Sequence, residues 1–388
     1  MARAHPRARR SPTLKAWVDD LRLRGEDLPI HRVAQRVIHP GLAPLAGDGF
    51  VAAQPVRQID LPGSWPHSLA VLHWFERGKQ GDPLGVEDQD SALGALFTLV
   101  TDRRCQVVPE VFAQVEGASQ GIAIPIYGQI DPALGSPMPS WDVLNEEFRT
   151  SLARIASLDD EDAWTVSAAM HMHYCAALLA AGDLTGAYAL VVGGLEVLAQ
   201  AYGSPPSDWA EWDRAASWDT FMAEQQLTEE QSAALRARLM DDVPMRLAET
   251  FATYVSERLP ATFWEEPVSV YSWGVDGLTG DPLEGAWKTG PERAAAFAGD
   301  RRELKKALKR SYEARSRFIH AGERGVPFPD ELLSRIPDWG DDRLSFAALR
   351  SALRRLILIE LESRSSNDPL PPLEFRLGPG TSMGDPPT

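Results

Sequence analysis

The chain has 388 residues, 44% of them hydrophobic, enough to bury a large core and long enough for two domains. Its formal net charge of −16 argues against a protein that coats nucleic acid through general attraction to phosphate. It has no run of 18 apolar residues, no apolar stretch behind its basic N-terminus, and only Cys105 and Cys175 as thiols. These features predict a cytoplasmic protein with no secretory signal, disulfide framework or membrane-spanning helix.

In chain order, Ser11 and Pro12 open a short helix carrying Leu14, Trp17 and Leu21 that ends at Gly25. Residues 31–38 are expected to form a second short helix before Pro40. Residues 1–40 carry nine basic side chains against four acidic ones, so they form a basic helical segment. Two such helices invite a helix-turn-helix reading, but no clear third helix follows. Residues 41–158 change texture. Glycine and proline are frequent, 50–53 and 121–127 read as strands, 88–100 reads as a helix packed on them, and 107–112 as strand and turn. The expectation is a smaller α+β or irregular N-terminal domain.

From Ser140 onward the periodicity is helical. Leu144, Phe148, Leu152 and Ile155 share one face. Asp159 to Asp162 place four acids at the start of the next helix, where they favour its dipole. A helix over 184–202 carries Glu196 in an apolar run. After a linker holding Trp209, Trp212 and Trp218, Thr228 and Gln231 form a capping box. Another helix runs from Pro244 to before Pro260, residues 263–290 read as loops or a hairpin, and the last helix starts at Ser345. The connector before it holds Pro327, Pro329 and Pro337, and the tail over 366–388 lacks periodicity and is expected to be disordered.

Residues 300–322 organise the rest. Asp300 and Glu303 fit a capping box, Gly322 fits the C-terminal stop, and Leu304, Leu308, Tyr312 and Ile319 make a buried stripe. Arg315 falls on that stripe, and a charge that cannot be neutralised there needs an anion or a specific partner. The stretch reads Arg315-Ser316-Arg317-Phe318-Ile319-His320. Residues 301–317 carry eight Lys/Arg against Glu303 and Glu313, a phosphate-facing strip in an acidic chain. The pair His171 and Cys175 shares a helical face, whereas His173 points about 200° away, so the three do not converge on a metal.

An arginine, four residues and a histidine late in an all-α region resembles the HEPN superfamily. RSRFIHAG, with LVVGGLEVLAQAYG and the closing LSFAALRSALRRLILIELESR, is similar to its Apea-like branch over roughly residues 159–365. The looser pattern of an arginine and a histidine separated by four to six residues recurs from Arg24 to His31 and from Arg32 to His39, but without the surrounding helices. The fold class expected is therefore mainly α, with a C-terminal HEPN-like bundle after the smaller N-terminal domain.

The resemblance implies a metal-independent endoribonuclease acting as a homodimer, in a defence or toxin setting with an antitoxin or defence partner. It implies Arg315, His320 and Ser316 as catalytic, and Glu196 and Tyr312 as supporting. Lys305, Lys309, Arg310 and Arg317 would bind RNA, with no cofactor and no metal. The alternative is a non-catalytic module of the same fold that binds RNA, a nucleotide or a partner protein. A DNA-binding regulator built on the N-terminal helices is the third reading. Histidine titrates near neutrality and can move the protons of 2′-hydroxyl attack, while arginine offers a fixed fork to phosphate oxygens. Five residues turn a straight helix by about 140°, so one chain's pair diverges and a two-fold partner is needed to close the site.

Overall fold

The computed structural model describes residues 14–22, 30–39, 45–47, 51–59, 67–77, 83–108, 139–180, 183–242, 246–272, 286–292, 300–321 and 343–366. Helix α1 (Leu14–Arg22) leads into strands β1 (Ile30–His39), β2 (Leu45–Gly47), β3 (Val51–Ile59) and β4 (His67–Arg77). Helix α2 (Pro83–Thr101) and strand β5 (Gln106–Val108) complete this layer. The sheet is antiparallel, in the order β2-β3-β4-β1-β5.

Residues 31–38 are thus part of a strand rather than the short helix expected. Ile30, Val33, Ala34, Val37 and Ile38 do recur at helical spacing, but four of the five are β-branched and suit a pleated surface better. Ladders on both sides decide the matter: Val37 lies opposite Ala70 of β4 and Val107 of β5. The alternative Arg32-to-His39 motif therefore lies on a strand, and the helix-turn-helix reading loses its second helix. One sheet face is apolar by simple alternation, with Val37, Val51, Ala53, Ala70, Leu72 and Trp74 all buried.

The bundle follows the sequence periodicity closely. It comprises α3 (Trp141–Ser157), α4 (Asp160–Leu179), α5 (Leu184–Tyr202), a 3₁₀ turn (Trp209–Glu211), α6 (Ala215–Glu224), α7 (Glu229–Asp241) and α8 (Leu247–Arg258). After α9 (Ala261–Glu265) and the hairpin β6 (Pro267–Ser272) and β7 (Ala286–Glu292) come α10 (Arg301–Ala321) and α11 (Phe346–Arg364). The protein is mainly α. Asp159 caps α4 by accepting from the Glu161 and Asp162 amides, and Ser345 caps α11 through the Ala348 amide. Thr228 and Gln231 form the reciprocal capping box expected of α7. Ser140 precedes α3 without a side-chain cap bond. The strand read at 121–127, the stop at Gly322, the proline-rich connector and the tail beyond Ser366 lie outside the described residues.

One continuous core joins the sheet layer to the bundle across residues 158 and 159. Phe148 of α3, fully buried, stacks on Phe97 of α2 with ring centroids 4.7 Å apart. The C-terminal end of α2, where Asp102 turns the chain with φ 53°, is held by arginines of α11. Arg354 donates to the carbonyls of Leu99 at 2.6 Å and Val100 at 2.9 Å. Arg350 Nη2 sits 3.0 Å from Asp102 Oδ1, close enough to pair ionically though not aligned as a directed hydrogen bond.

Helix α5 is long and apolar enough to span a bilayer by composition, with a mean hydropathy of 1.4, but 67% of that window is buried inside the fold. Residues Trp212, Ala215 and Leu239 form a separate small core with Trp209 and Trp218 around it, so these tryptophans pack the α6–α7 segment. Because Phe148 ties the two layers, Phe148→Ala should lower unfolding free energy by about 3–5 kcal/mol in chemical denaturation.

Candidate functional site

Helix α5 opens at Asp183, whose side chain accepts from the Gly186 amide, and runs through Val191, Val192, Leu195 and Leu198, all fully buried. Glu196 lies within this apolar run and is itself 9% exposed. A carboxylate in such a place must be bonded or it destabilises the fold. It is bonded three ways. Gln200, one turn further along α5, donates to Oε1 at 3.0 Å, and Tyr312 of α10 donates to the same oxygen at 3.2 Å. Arg315 of α10 places Nη2 3.1 Å from Oε2. The arginine expected to need an anion or a partner thus has Glu196 as that partner.

Helix α10 is positioned by its N-terminal two thirds. Asp300 accepts from the Arg302 and Glu303 amides at 2.8 and 3.3 Å, while the Glu303 carboxylate pairs with Lys306 at 2.5 Å instead of closing the capping box. Leu304, Ala307, Leu308 and Ser311 are buried. The Ser311 hydroxyl donates to the Ala307 carbonyl and accepts from the Leu344 amide, tying α10 to the start of α11. The Tyr312 ring lies 5.5 Å from that of Phe251 on α8.

Beyond Tyr312 the helix leaves the core. Ile319, expected on the buried stripe, is 50% exposed, because no element covers that turn among the described residues. Arg317 and His320 are exposed and Ser316 is half-buried. The fold gathers Arg315, Glu196 and Tyr312 at one point and leaves His320 on the exposed end of the same helix. Among the described residues Ser316 makes no hydrogen bond to His320.

The basic strip is compensated within the chain. Lys305 pairs with Glu257 at 3.0 Å, and Lys309 pairs with Asp213 at 2.7 Å and with Glu249. Across the same junction Arg214 lies 3.7 Å from Glu313. Arg310 is half-buried on this helix. The acids that meet the strip come from α8 and from the segment before α6, and nothing local in the sequence of α10 announces them. Gln200, by contrast, was detectable as the residue one turn after Glu196.

The tyrosine reports on the cluster. Burial, then the charge of Glu196 and its hydrogen bond, push the Tyr312 hydroxyl from 10.0 up to about 12, against the pull of Arg315. Elsewhere, His171 Nε2 lies 3.3 Å from Cys175 Sγ, while His173 is fully buried on the other face, as the helical spacing required. Burial first, then Arg350 and Arg354, hold His173 well below the ordinary histidine range, so it is neutral. No group of three metal-ligating side chains occurs among the described residues. Comparison with family models, curated proteins and solved structures gives no match to this chain.

Three outcomes follow from this geometry. Arg315→Ala leaves Glu196 without its counter-charge and should cost about 1–3 kcal/mol in denaturant melts, less than the 3–5 of a fully buried pair since both ends keep some solvent contact. The folded-state value for Tyr312 lies above its unfolded one, so its stabilising contribution is complete below pH 10.0 and disappears as pH rises through about 12. In ultraviolet titration, Glu196→Gln should bring that ionisation part of the way back toward 10.0, burial keeping the remainder.

Proposed function

We propose that the protein is a metal-independent endoribonuclease of HEPN type, working as a homodimer in the cytoplasm in a defence or toxin setting. The observation that carries this reading is the placement of Arg315. Its guanidinium is held by Glu196 at 3.1 Å in the seam between α5 and α10, five residues before an exposed histidine. Glu196, itself held by the Tyr312 hydroxyl, fixes the direction in which the guanidinium of Arg315 points.

In the reaction, His320 takes the proton of a ribose 2′-hydroxyl as that oxygen attacks the adjacent phosphorus. The 5′-oxygen leaves with a proton supplied by an acid, for which His320 of a second copy has the right chemistry. Arg315 stabilises the charge that grows on the phosphoryl oxygens. The products are a 2′,3′-cyclic phosphate and a 5′-hydroxyl end. The half-exposed Ile319 beside His320 gives the end of α10 an apolar contact for the second copy. Ser316 lies one turn before His320 on its face and can orient the imidazole or the phosphate.

The second reading, a non-catalytic module of the same type, is favoured by a different observation. Lys305 and Lys309 already have carboxylate partners, as Arg315 does, so the positive strip offers less free charge to RNA than its composition suggests.

Purified protein incubated with single-stranded RNA and EDTA decides between them. Cleavage should proceed with EDTA present, and His320→Ala should slow it by about 10²–10⁴-fold at an unchanged melting temperature. Cleavage by His320→Ala at the wild-type rate would overturn the nuclease reading and leave the binding module. Sedimentation should give a dimer, and Ile319→Glu should shift it toward monomer and lower activity in parallel. A monomeric mass with full cleavage rules out the dimeric site.

A further inference from the structure

Three helices of the bundle finish side by side. Tyr202 is the last residue of α5, Arg258 of α8 and Arg364 of α11. Between these ends lies a cleft of about 520 Å³ whose wall also includes Ser204, Thr253 and Ser363. That volume falls within the usual range for small-molecule sites, roughly 300–1,000 Å³.

At its base is Glu360, 1% exposed in the otherwise apolar run of α11. Two guanidiniums share this one carboxylate: Arg258 donates Nε to Oε1 at 2.7 Å and Arg364 donates Nε to Oε2 at 2.8 Å. Tyr254 donates to Oε1 at 2.9 Å. Burial alone would raise this carboxyl, but the bonds from Arg258, Arg364 and Tyr254 outweigh it and hold Glu360 below its ordinary value.

The arrangement has more donors than its own acceptors use. Arg258 spends Nη2 on the Ser363 hydroxyl at 2.8 Å, and Nη1 makes no hydrogen bond among the described residues. Arg364 lies over the Tyr202 ring at 3.5 Å, has Nη1 at a loose 3.6 Å from Asp162, and leaves Nη2 without a hydrogen bond among the described residues. The two arginine side chains remain 38% and 32% exposed. Glu257, the other acid of the cleft wall, is paired with Lys305 of the motif helix at 3.0 Å.

A single structural ion pair needs one arginine. Two arginines oriented by one shared carboxylate, with free Nη donors beside hydroxyls in a cleft, form a ready fork for an oxyanion. We propose that this cleft binds the phosphoryl group of a small phosphate monoester. Arg258 and Arg364 supply the charged donors, with Ser204 and Thr253 as neighbouring hydroxyls. The site is separate from Arg315 and His320 and does not depend on the nuclease reading. The whole chain carries −16, so anions are repelled in general and a saturable anion site on it has a local cause.

The test is calorimetric titration of the full chain at neutral pH and low salt with two probes, inorganic phosphate and adenosine monophosphate. Saturable binding with Kd of about 1 mM or tighter for either is expected, weakening as sodium chloride is raised. Equal affinity for the two identifies a site that reads the phosphoryl group alone, and tighter binding of the nucleotide adds contacts along the cleft; both support the proposal. Removing either arginine also strips a partner from the buried Glu360 and so mixes stability with binding; the diagnostic variants are therefore on the wall. Ser204→Asp and, independently, Thr253→Asp place a carboxylate beside the arginines and should weaken binding at least about tenfold with matched melting curves. Failure of both probes to bind at about 10 mM, or wild-type affinity in both folded variants, overturns it.

Discussion

Glu196 is the constraint from which the geometry of the motif helix follows. A carboxylate in the middle of the most apolar helix of the bundle cannot be left alone, because a buried charge without partners costs far more than any one contact restores. Its three partners fix two helices against each other. Gln200 belongs to α5 itself, while Tyr312 and Arg315, almost one turn apart on α10, set both the rotation of α10 and its height along α5. With that rotation fixed, the apolar side of α10 ends at Ser311 and the helix beyond Arg315 emerges from the core. An exposed isoleucine and an exposed histidine at that end are consequences of where the carboxylate sits.

A similar logic, with the signs exchanged, joins the sheet layer to the bundle. The last carbonyls of α2 carry the negative end of its dipole and have no partners within their own helix. Arg354 and Arg350 of α11 reach them and Asp102 from about 250 positions away in the sequence. They project from a helix whose adjoining positions Leu349, Leu353, Leu356 and Ile357 are all fully buried. Helix α11 therefore serves two layers at once, and at its far end a third buried charge, Glu360, gathers Arg258, Arg364 and Tyr254. Three ionic junctions along two helices hold the interior in register where apolar packing alone would tolerate sliding.

Charge compensation also governs the surface of α10. A helix with a local excess of six positive charges in a chain of net −16 is placed against acids: Glu249 and Glu257 of α8 and Asp213. These are partly exposed pairs, individually worth little in water. Their effect is on what the helix presents outward, since an ammonium already facing a carboxylate is a weaker site for phosphate than its sequence implies.

What the sequence determined by itself is whatever is settled within a turn or two of helix. The caps at Asp159, Thr228 and Ser345, the buried face of Leu144, Phe148, Leu152 and Ile155, the opposed directions of His171 and His173, the bounds of α5 and α11 and the start of α10 depend on neighbours three or four residues away. The tertiary structure decided the rest. Residues 30–39 have a helical spacing of apolar side chains and yet form a central strand, because β4 and β5 offer ladders on both sides that no local window contains. Ile319 matched the stripe of α10 but is half exposed, with no helix over it among the described residues. The partners of Glu196, of Lys305 and of Lys309 lie 116, 48 and 96 residues away, and Arg258 meets Glu360 across 102. Periodicity tells which side of a helix turns inward, whereas the opposing charge comes from another segment, chosen only when the chain has folded and desolvation makes leaving it unpaired too costly.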